Sequence, residues 1–208
     1  MRGIAFVLSA PSGSGKTTIR KRLLRRVNRL AFSVSCTTRP PRRGEREGRD
    51  YRFLSEKMFR RRVKQGRFLE WAEVHGCLYG TPREPVERAL RAGRDVLLEV
   101  DPRGARAVRA ALRGRAHVVL ALMIPPAVSD LRRRLRGRGG ISPEEFERRM
   151  RDAKKFVRAW PRYDYIVVNE RIGECAAALR AIVEAERLRR VKQEPRVKRF
   201  VRELSNAS

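Results

Sequence analysis

The stretch Ile4-Ala5-Phe6-Val7-Leu8-Ser9-Ala10-Pro11-Ser12-Gly13-Ser14-Gly15-Lys16-Thr17-Thr18 changes character twice within fifteen residues. Ile4 to Leu8 is an unbroken apolar run, the pattern of a strand buried on both faces of a parallel sheet. From Gly15 to Arg26 the spacing is that of an amphipathic helix. The turn between them is rich in glycine and serine. Backbone N–H groups in such a turn converge on phosphate oxygens, and the helix N-terminus adds partial positive charge. Lys16 can then reach the β- and γ-phosphates, and the Thr17 hydroxyl is suited to Mg²⁺. Ala10, Pro11, Ser12, Gly13, Ser14, Gly15, Lys16, Thr17 and Thr18 are therefore the expected nucleotide-contacting residues. The strict pattern begins with glycine, so Ala10 is tolerated only with a negative φ. Glycine and serine between a strand and a helix are often an ordinary turn, but Gly15-Lys16-Thr17 between these flanks favours a phosphate loop.

Outward from this loop the same alternation recurs. Strands are predicted at Phe32 to Ser35, Val96 to Val100, Val118 to Met123 and Tyr165 to Val168, and helices at Pro102 to Leu112, Pro126 to Leu135 and Ile172 to Arg190. Alternating strands and helices imply an α/β fold whose parallel sheet is covered on both faces, a three-layer architecture. Two segments break the rhythm. Thr37 to Gly80 is polar, aromatic and punctuated by glycine, and reads as a strand-rich insertion with a short helix from Lys57. Gly137-Arg138-Gly139-Gly140 reads as a hinge before a helix that Ser142 caps, Pro143 opens and Glu145 closes as a capping box. A glycine hinge before a basic helix suits a mobile lid, placed at 136–158. Residues 3–184 form the expected domain, and the charged segment 185–208, interrupted by Pro195, a tail outside the core.

Composition narrows the function. The 208 residues carry a formal charge of +28, and 43 of them are arginine. The balance points to polyanionic partners, although an arginine excess spread along the whole chain is first of all a solvated surface. Cys36, Cys77 and Cys175 are far apart, odd in number and without metal-ligand spacing, as in a reducing, cytoplasmic compartment. No apolar run reaches the roughly 20 residues that span a bilayer, so no membrane partner is expected, and no specific nucleic acid either.

Further motifs follow in order: Ser33 to Glu45 (SVSCTTRPPRRGE), Gly48 to Phe53 (GRDYRF), Phe68 to Ala72 (FLEWA), Tyr79 to Pro82 (YGTP) and Leu98 to Asp101 (LEVD). Together with the phosphate loop, from about Gly3 to Arg190, they closely resemble guanylate kinase, a family of P-loop nucleoside monophosphate kinases. The resemblance implies ATP and GMP as substrates, with dGMP as a further acceptor, and Mg²⁺ with the ATP, on Thr17. It places GMP in the insertion, on Ser35, Arg39, Arg42, Tyr51, Glu70, Tyr79, Thr81 and Asp101.

The carboxylate of Glu70 can accept from the N1–H and N2 amino groups that guanine presents side by side, where adenine has a lone pair. Alone, Glu70 would read as a solvated acid beside Trp71. Arg39 and Arg42 offer planar forks to the acceptor phosphate, with the phenols of Tyr51 and Tyr79 beside them. Lys16, Arg42, Arg138 and Arg149 form the expected catalytic set, with Arg134 a further lid arginine. Phosphoryl transfer needs positive charge around the equatorial oxygens rather than an acid, a base or a nucleophile. Arg103 departs from the pattern, at a position where relatives usually carry glutamine.

Two other classes compete with this reading: a silent module of the same fold that binds a phosphopeptide in the acceptor cleft, and an RNA-binding P-loop ATPase. Intact Gly15-Lys16-Thr17 and the basic lid oppose the first. Aromatic residues, 7% of the chain and not arrayed as a stacking platform, oppose the second. The sequence leaves open the choice between monomer and homodimer.

Overall fold

A computed structural model describes residues 3–74, 76–137 and 142–206. Five strands form one parallel sheet: β1 (Ile4–Ser9), β2 (Leu30–Phe32), β7 (Asp95–Glu99), β8 (His117–Ile124) and β9 (Tyr165–Val168), in the order β2-β7-β1-β8-β9. Strand alternation sorts the β1 side chains into two cores. Ile4, Phe6 and Leu8 point to one face, where they pack with Ile19 and Leu23 of α1 (Lys16–Arg26) and Leu179 and Val183 of α7 (Ile172–Leu188). Ala5 and Val7 point to the other, against Val86 and Leu90 of α3 (Arg83–Arg91) and Val108 of α4 (Pro102–Ala111). The three-layer α/β fold expected from the alternation is present.

The insertion folds as its own four-stranded sheet, in the order β4-β3-β6-β5. Its strands are β3 (Cys36–Thr37), β4 (Arg52–Phe53), β5 (Phe68–Val74) and β6 (Cys77–Pro82). Its helix α2 (Glu56–Lys64) starts where Ser55 Oγ accepts the Met58 N–H at 3.3 Å. A separate small core of Cys36, Phe59, Phe68 and Leu78 holds it together, with the Phe59 and Phe68 rings stacked at 4.6 Å.

Three expectations are corrected. The strand predicted at Phe32 to Ser35 is divided between the two sheets: the Ser33 N–H still donates to Leu97 O of β7 at 2.9 Å, whereas Ser35 O accepts from Arg52 of β4 at 2.8 Å. Helix α3 is an addition to the sequence reading. Pro195 does not interrupt its segment, because α8 (Arg190–Ser205) runs through it; no residue of α8 is buried. The boundary drawn at 185 falls within α7, where the buried Glu186 accepts from Tyr165 Oη at 2.6 Å and lies 2.7 Å from His117 Nε2.

The lid region at 136–158 contains α6 (Pro143–Val157), which is joined to the preceding α5 (Val128–Arg136) by a small core of Leu131, Leu135, Phe146 and Ala153. Ser142 Oγ accepts the Glu145 N–H at 3.2 Å, as the capping pattern implies. Arg138 and the hinge glycines 139 and 140 lie outside the described residues. Among the described residues, no helix is long and apolar enough to cross a membrane.

The first strand depends on one buried carboxylate. Asp95, whose side chain is 8% exposed, accepts the Ile4 N–H at 2.8 Å and Arg187 Nε at 2.7 Å, tying β7 to β1 and α7. Removing it leaves a buried N–H without an acceptor. Asp95→Ala is expected to cost about 2–3 kcal/mol, the usual penalty for such an orphaned group. A lower urea midpoint at unchanged m-value checks it; an unmoved midpoint would refute the role.

Candidate active site

The sheet order puts β1 between β7 and β8, strands that come much later in the chain. The connection from β1 through α1 runs to β2 on one side, whereas that from β7 through α4 runs past β1 to β8 on the other, and a crevice opens between them at the C-terminal end of β1, the usual ligand position in such sheets. The loop from Ala10 to Gly15 fills that crevice. Gly13 and Gly15 have φ of 87° and 85°, left-handed values that glycine adopts without strain, and the Ser14 N–H between them donates to Pro11 O at 3.2 Å. Ala10 lies outside the left-handed region, as its side chain requires. From the far side of the loop, Asn169 Nδ2, just past β9, donates to Ser14 O at 2.7 Å. A Cβ on Gly15 would stand 3.2 Å from that amide, so the clamp and the glycine need each other.

A cavity lies on each side of the loop. The first, about 160 Å³, is lined by Lys16, Ser35, Tyr51, Glu70, Tyr79 and Asp101, together with Glu99 at the end of β7. Six of the expected site residues thus come together from the loop, the insertion and the core sheet. Thr81 is buried behind them and donates its hydroxyl to Glu70 Oε1 at 2.5 Å. Arg39 stands beside Tyr79, donating from Nε to its Oη at 3.2 Å, with its guanidinium 5.5 Å from the Tyr51 ring centroid. Glu45 receives Arg39 Nη2 on both oxygens, at 2.9 and 3.0 Å, and the Arg42 N–H at 2.8 Å. Burial alone would raise the Glu45 carboxyl, but these bonds outweigh it and hold it below the ordinary range.

The second cavity, about 520 Å³, is lined by Gly13, Gly15, Arg134, Asn169, Glu170 and Ile172. Arg134 is fixed there by a 3.1 Å bond from Nη2 to Asn169 O. Thr17 and Thr18, in the first turn of α1, are exposed.

Other expected residues are not drawn in. The Arg42 side chain is exposed at the rim of the insertion, and Arg149 on α6 is paired with Glu145, lining neither cavity. Arg138 lies outside the described residues. Arg103 is exposed on α4. Asp101 lines the first cavity and also caps α4, accepting the Gly104 N–H at 2.7 Å. Among the described residues, no group of three His, Cys, Asp or Glu side chains is placed to hold a metal ion.

The sequence reading missed Asn169 and Gly104. Asn169 follows a buried strand at the sheet's C-terminal edge, a position where polar residues face ligands, and that signal was available. Gly104 offered none: its Cβ would come within 3.0 Å of Glu70 Oε2 and 2.9 Å of Val100 Cβ, a contact that only the fold creates.

The guanylate kinase family profile matches residues 2–186. Among similar curated proteins, the guanylate kinase of Nitrobacter hamburgensis is 48% identical over 203 residues, covering 98% of this chain and 91% of its own. That of Sphingopyxis alaskensis is 46% identical, covering 92% and 86%. The crystal structure of guanylate kinase from Anaplasma phagocytophilum superposes with a TM-score of 0.76 at 35% identity, over 91% of this chain and 89% of that one. The chain belongs to the guanylate kinase family. Family members are kinases that use ATP, and the loop, the insertion and the lid helix described above form one such scaffold.

Within that scaffold Glu70 is a carboxyl whose burial alters its protonation. Burial pushes its carboxyl above the ordinary range and nearby Asp101 adds to the rise, while the Thr81 hydroxyl pulls part of it back. A carboxyl whose folded pKa is raised binds its proton more tightly in the folded state, so stability falls as pH rises from the ordinary glutamate range through the raised value. Glu70→Gln keeps the acceptor for Thr81 and removes the charge. The variant is expected to match the parent near pH 4 and to exceed it in urea midpoint at pH 7. Parallel curves for the two proteins across this range would contradict it.

Proposed function

We propose that this chain transfers the γ-phosphoryl group of ATP to GMP, giving ADP and GDP, and that it accepts dGMP as well. One observation carries the reading: Lys16, the point charge of the phosphate loop, stands on the wall of the same cavity as Glu70. A donor phosphate held by the loop and an acceptor base held by Glu70 would then share one chamber. The cavity on the other side of the loop, between Arg134 and Asn169, suits the rest of the donor nucleotide.

In this reading guanine gives its N1–H and N2 amino hydrogens to Glu70. Among the described residues no cation neutralises that carboxylate, so two adjacent donors relieve a desolvated charge that no lone pair could relieve. Thr81 holds Glu70 in orientation, Ser35 offers its hydroxyl to the base, and Asp101 stands at the same wall. Arg39, Arg42, Tyr51 and Tyr79 receive the acceptor phosphate. Lys16, Arg42, Arg138 and Arg149 carry the positive charge that spreads over the transferring group once the lid has closed.

The donor set fits Mg²⁺ that arrives with ATP. This ion keeps several waters and needs only one or two protein ligands beside the phosphates, and the exposed Thr17 hydroxyl is placed to be one of them. When bound, it neutralises charge between the β- and γ-phosphates. We assign the protein to the cytoplasm, where its three free cysteines stay reduced, and we treat the segment after α7 as a tail outside the catalytic domain.

ADP release measured with GMP, dGMP, AMP and UMP, with Lys16→Ala as the blank, tests the reaction. Release is expected with GMP and dGMP only; release that ignores the acceptor would overturn the assignment. Glu70→Gln should lower kcat/KM for GMP about 5- to 150-fold, the equivalent of about 1–3 kcal/mol for mispaired donors in a buried site. KM for ATP serves as the unmoved reference, and an unchanged kcat/KM removes Glu70 from the base pocket.

The lid assignment is separable from the basic background. Alanine at Arg138 or Arg149 should depress kcat far more than it weakens GMP binding to the resting enzyme. Truncation from Glu194 should leave kcat nearly unchanged, because that segment contributes charge but no part of either cavity. Equal losses from truncation and lid variants, measured at one salt concentration, would dismiss the lid arginines.

A further inference from the structure

Among the described residues Arg20 is the one buried arginine, 7% exposed in a chain where the others are half-buried or exposed. It lies on α1, one turn beyond Lys16, and its guanidinium stacks 4.2 Å from the Phe32 ring centroid. Nη2 lies 3.7 Å from Asp50 Oδ1, in the insertion, and Nη1 lies 3.5 Å from Glu99 Oε2, at the end of β7. Neither contact is a tight hydrogen bond, so the cation is shared between two carboxylates on two different bodies of the fold.

Each partner leads to the acceptor cavity. Asp50 precedes Tyr51, whose ring lines the cavity and meets Tyr79 edge-on at 6.0 Å. Glu99 lines the same cavity, and its second oxygen, Oε1, is buried without a hydrogen-bond partner. Among the described residues Asp50 is otherwise anchored to its own loop, through the Arg46 N–H at 3.1 Å and Arg49 Nε at 2.8 Å.

We propose that Arg20 is a positioning residue that couples the phosphate loop to the acceptor insertion, so that a nucleoside triphosphate on one side tightens GMP on the other. This inference rests on the insertion being the GMP site. A shift of the loop that carries Asp50 and Tyr51 changes how Arg20 divides its charge, and Arg20 is fixed to the helix that begins at Lys16. The coupling is reciprocal, because the same ion pair responds to either ligand.

The test is calorimetric titration of the full chain with GMP, alone and with Mg²⁺ and a non-hydrolysable ATP analogue; the ratio of the two Kd values measures coupling. The parent is expected to show a ratio of at least about fivefold, the lower end of typical coupling. Asp50→Asn keeps an acceptor for the Arg46 N–H but removes the charge facing Arg20. It and Arg20→Met should bring the ratio to within about twofold of one, while each nucleotide alone binds within about threefold of its parental affinity.

Asp50→Glu should restore the ratio. A purely structural role would lower the unfolding midpoint without moving the ratio. Should Arg20→Met fail to fold, the Asp50 pair decides alone: retention of the parental ratio in Asp50→Asn overturns the proposal. A parent that binds GMP with a ratio of one removes the coupling only. A parent that binds no GMP removes the acceptor site as well.

Discussion

The backbone from Gly13 to Lys16 has to hold a tight left-handed turn between β1 and α1, and much of the molecule serves that requirement. Two left-handed glycines turn the backbone, and α1 directs its positive end at the same point. The loop is also held from behind: Asn169 reaches from the end of β9 to Ser14 O, and Arg134 in turn holds Asn169 O. Strands at opposite ends of the sequence therefore have to assemble before the loop has its shape. The parallel sheet supplies that assembly, because β1, β8 and β9 are hydrogen-bonded neighbours in register.

Opposite the loop, the insertion solves a different problem. Its own core is only four buried side chains, too few to dictate where the small sheet sits relative to the large one. Leu69 of β5 anchors it in the larger core beside α3 and α4, and two polar contacts add to this position: Gly104 of α4 admits Glu70, and the loop at Asp50 meets Arg20. Both contacts involve carboxylates removed from water, which costs free energy unless a donor or a cation arrives.

What the sequence disclosed follows from this division. Ile4 to Leu8, Val118 to Met123 and Tyr165 to Val168 announce themselves because a strand buried on both faces must be apolar throughout. The loop is legible because phosphate binding requires Gly15-Lys16-Thr17 in consecutive positions. Ser33 to Ser35 was assigned to one strand because periodicity records that a segment is extended, not which sheet it bonds. Gly104 and Arg20 act through partners 34 and 30 residues away in the chain, respectively. No local pattern marks contacts of that separation.

Charge is the feature for which abundance and meaning diverge most. With 43 arginines, a given guanidinium has little significance in the sequence, and many of the ion pairs among the described residues join positions three or four apart, as Arg60 with Glu56 or Arg88 with Glu84. Such exposed pairs contribute at most a fraction of a kcal/mol each. Desolvation reverses the weighting. Arg20 and Glu70 are single charges, yet each is taken out of water at a joint between two parts of the fold, where the cost has to be met by a specific partner. Burial, rather than the number of basic residues, therefore separates the charges that organise the site from those that coat the surface. A net charge of +28 measures mainly the second population.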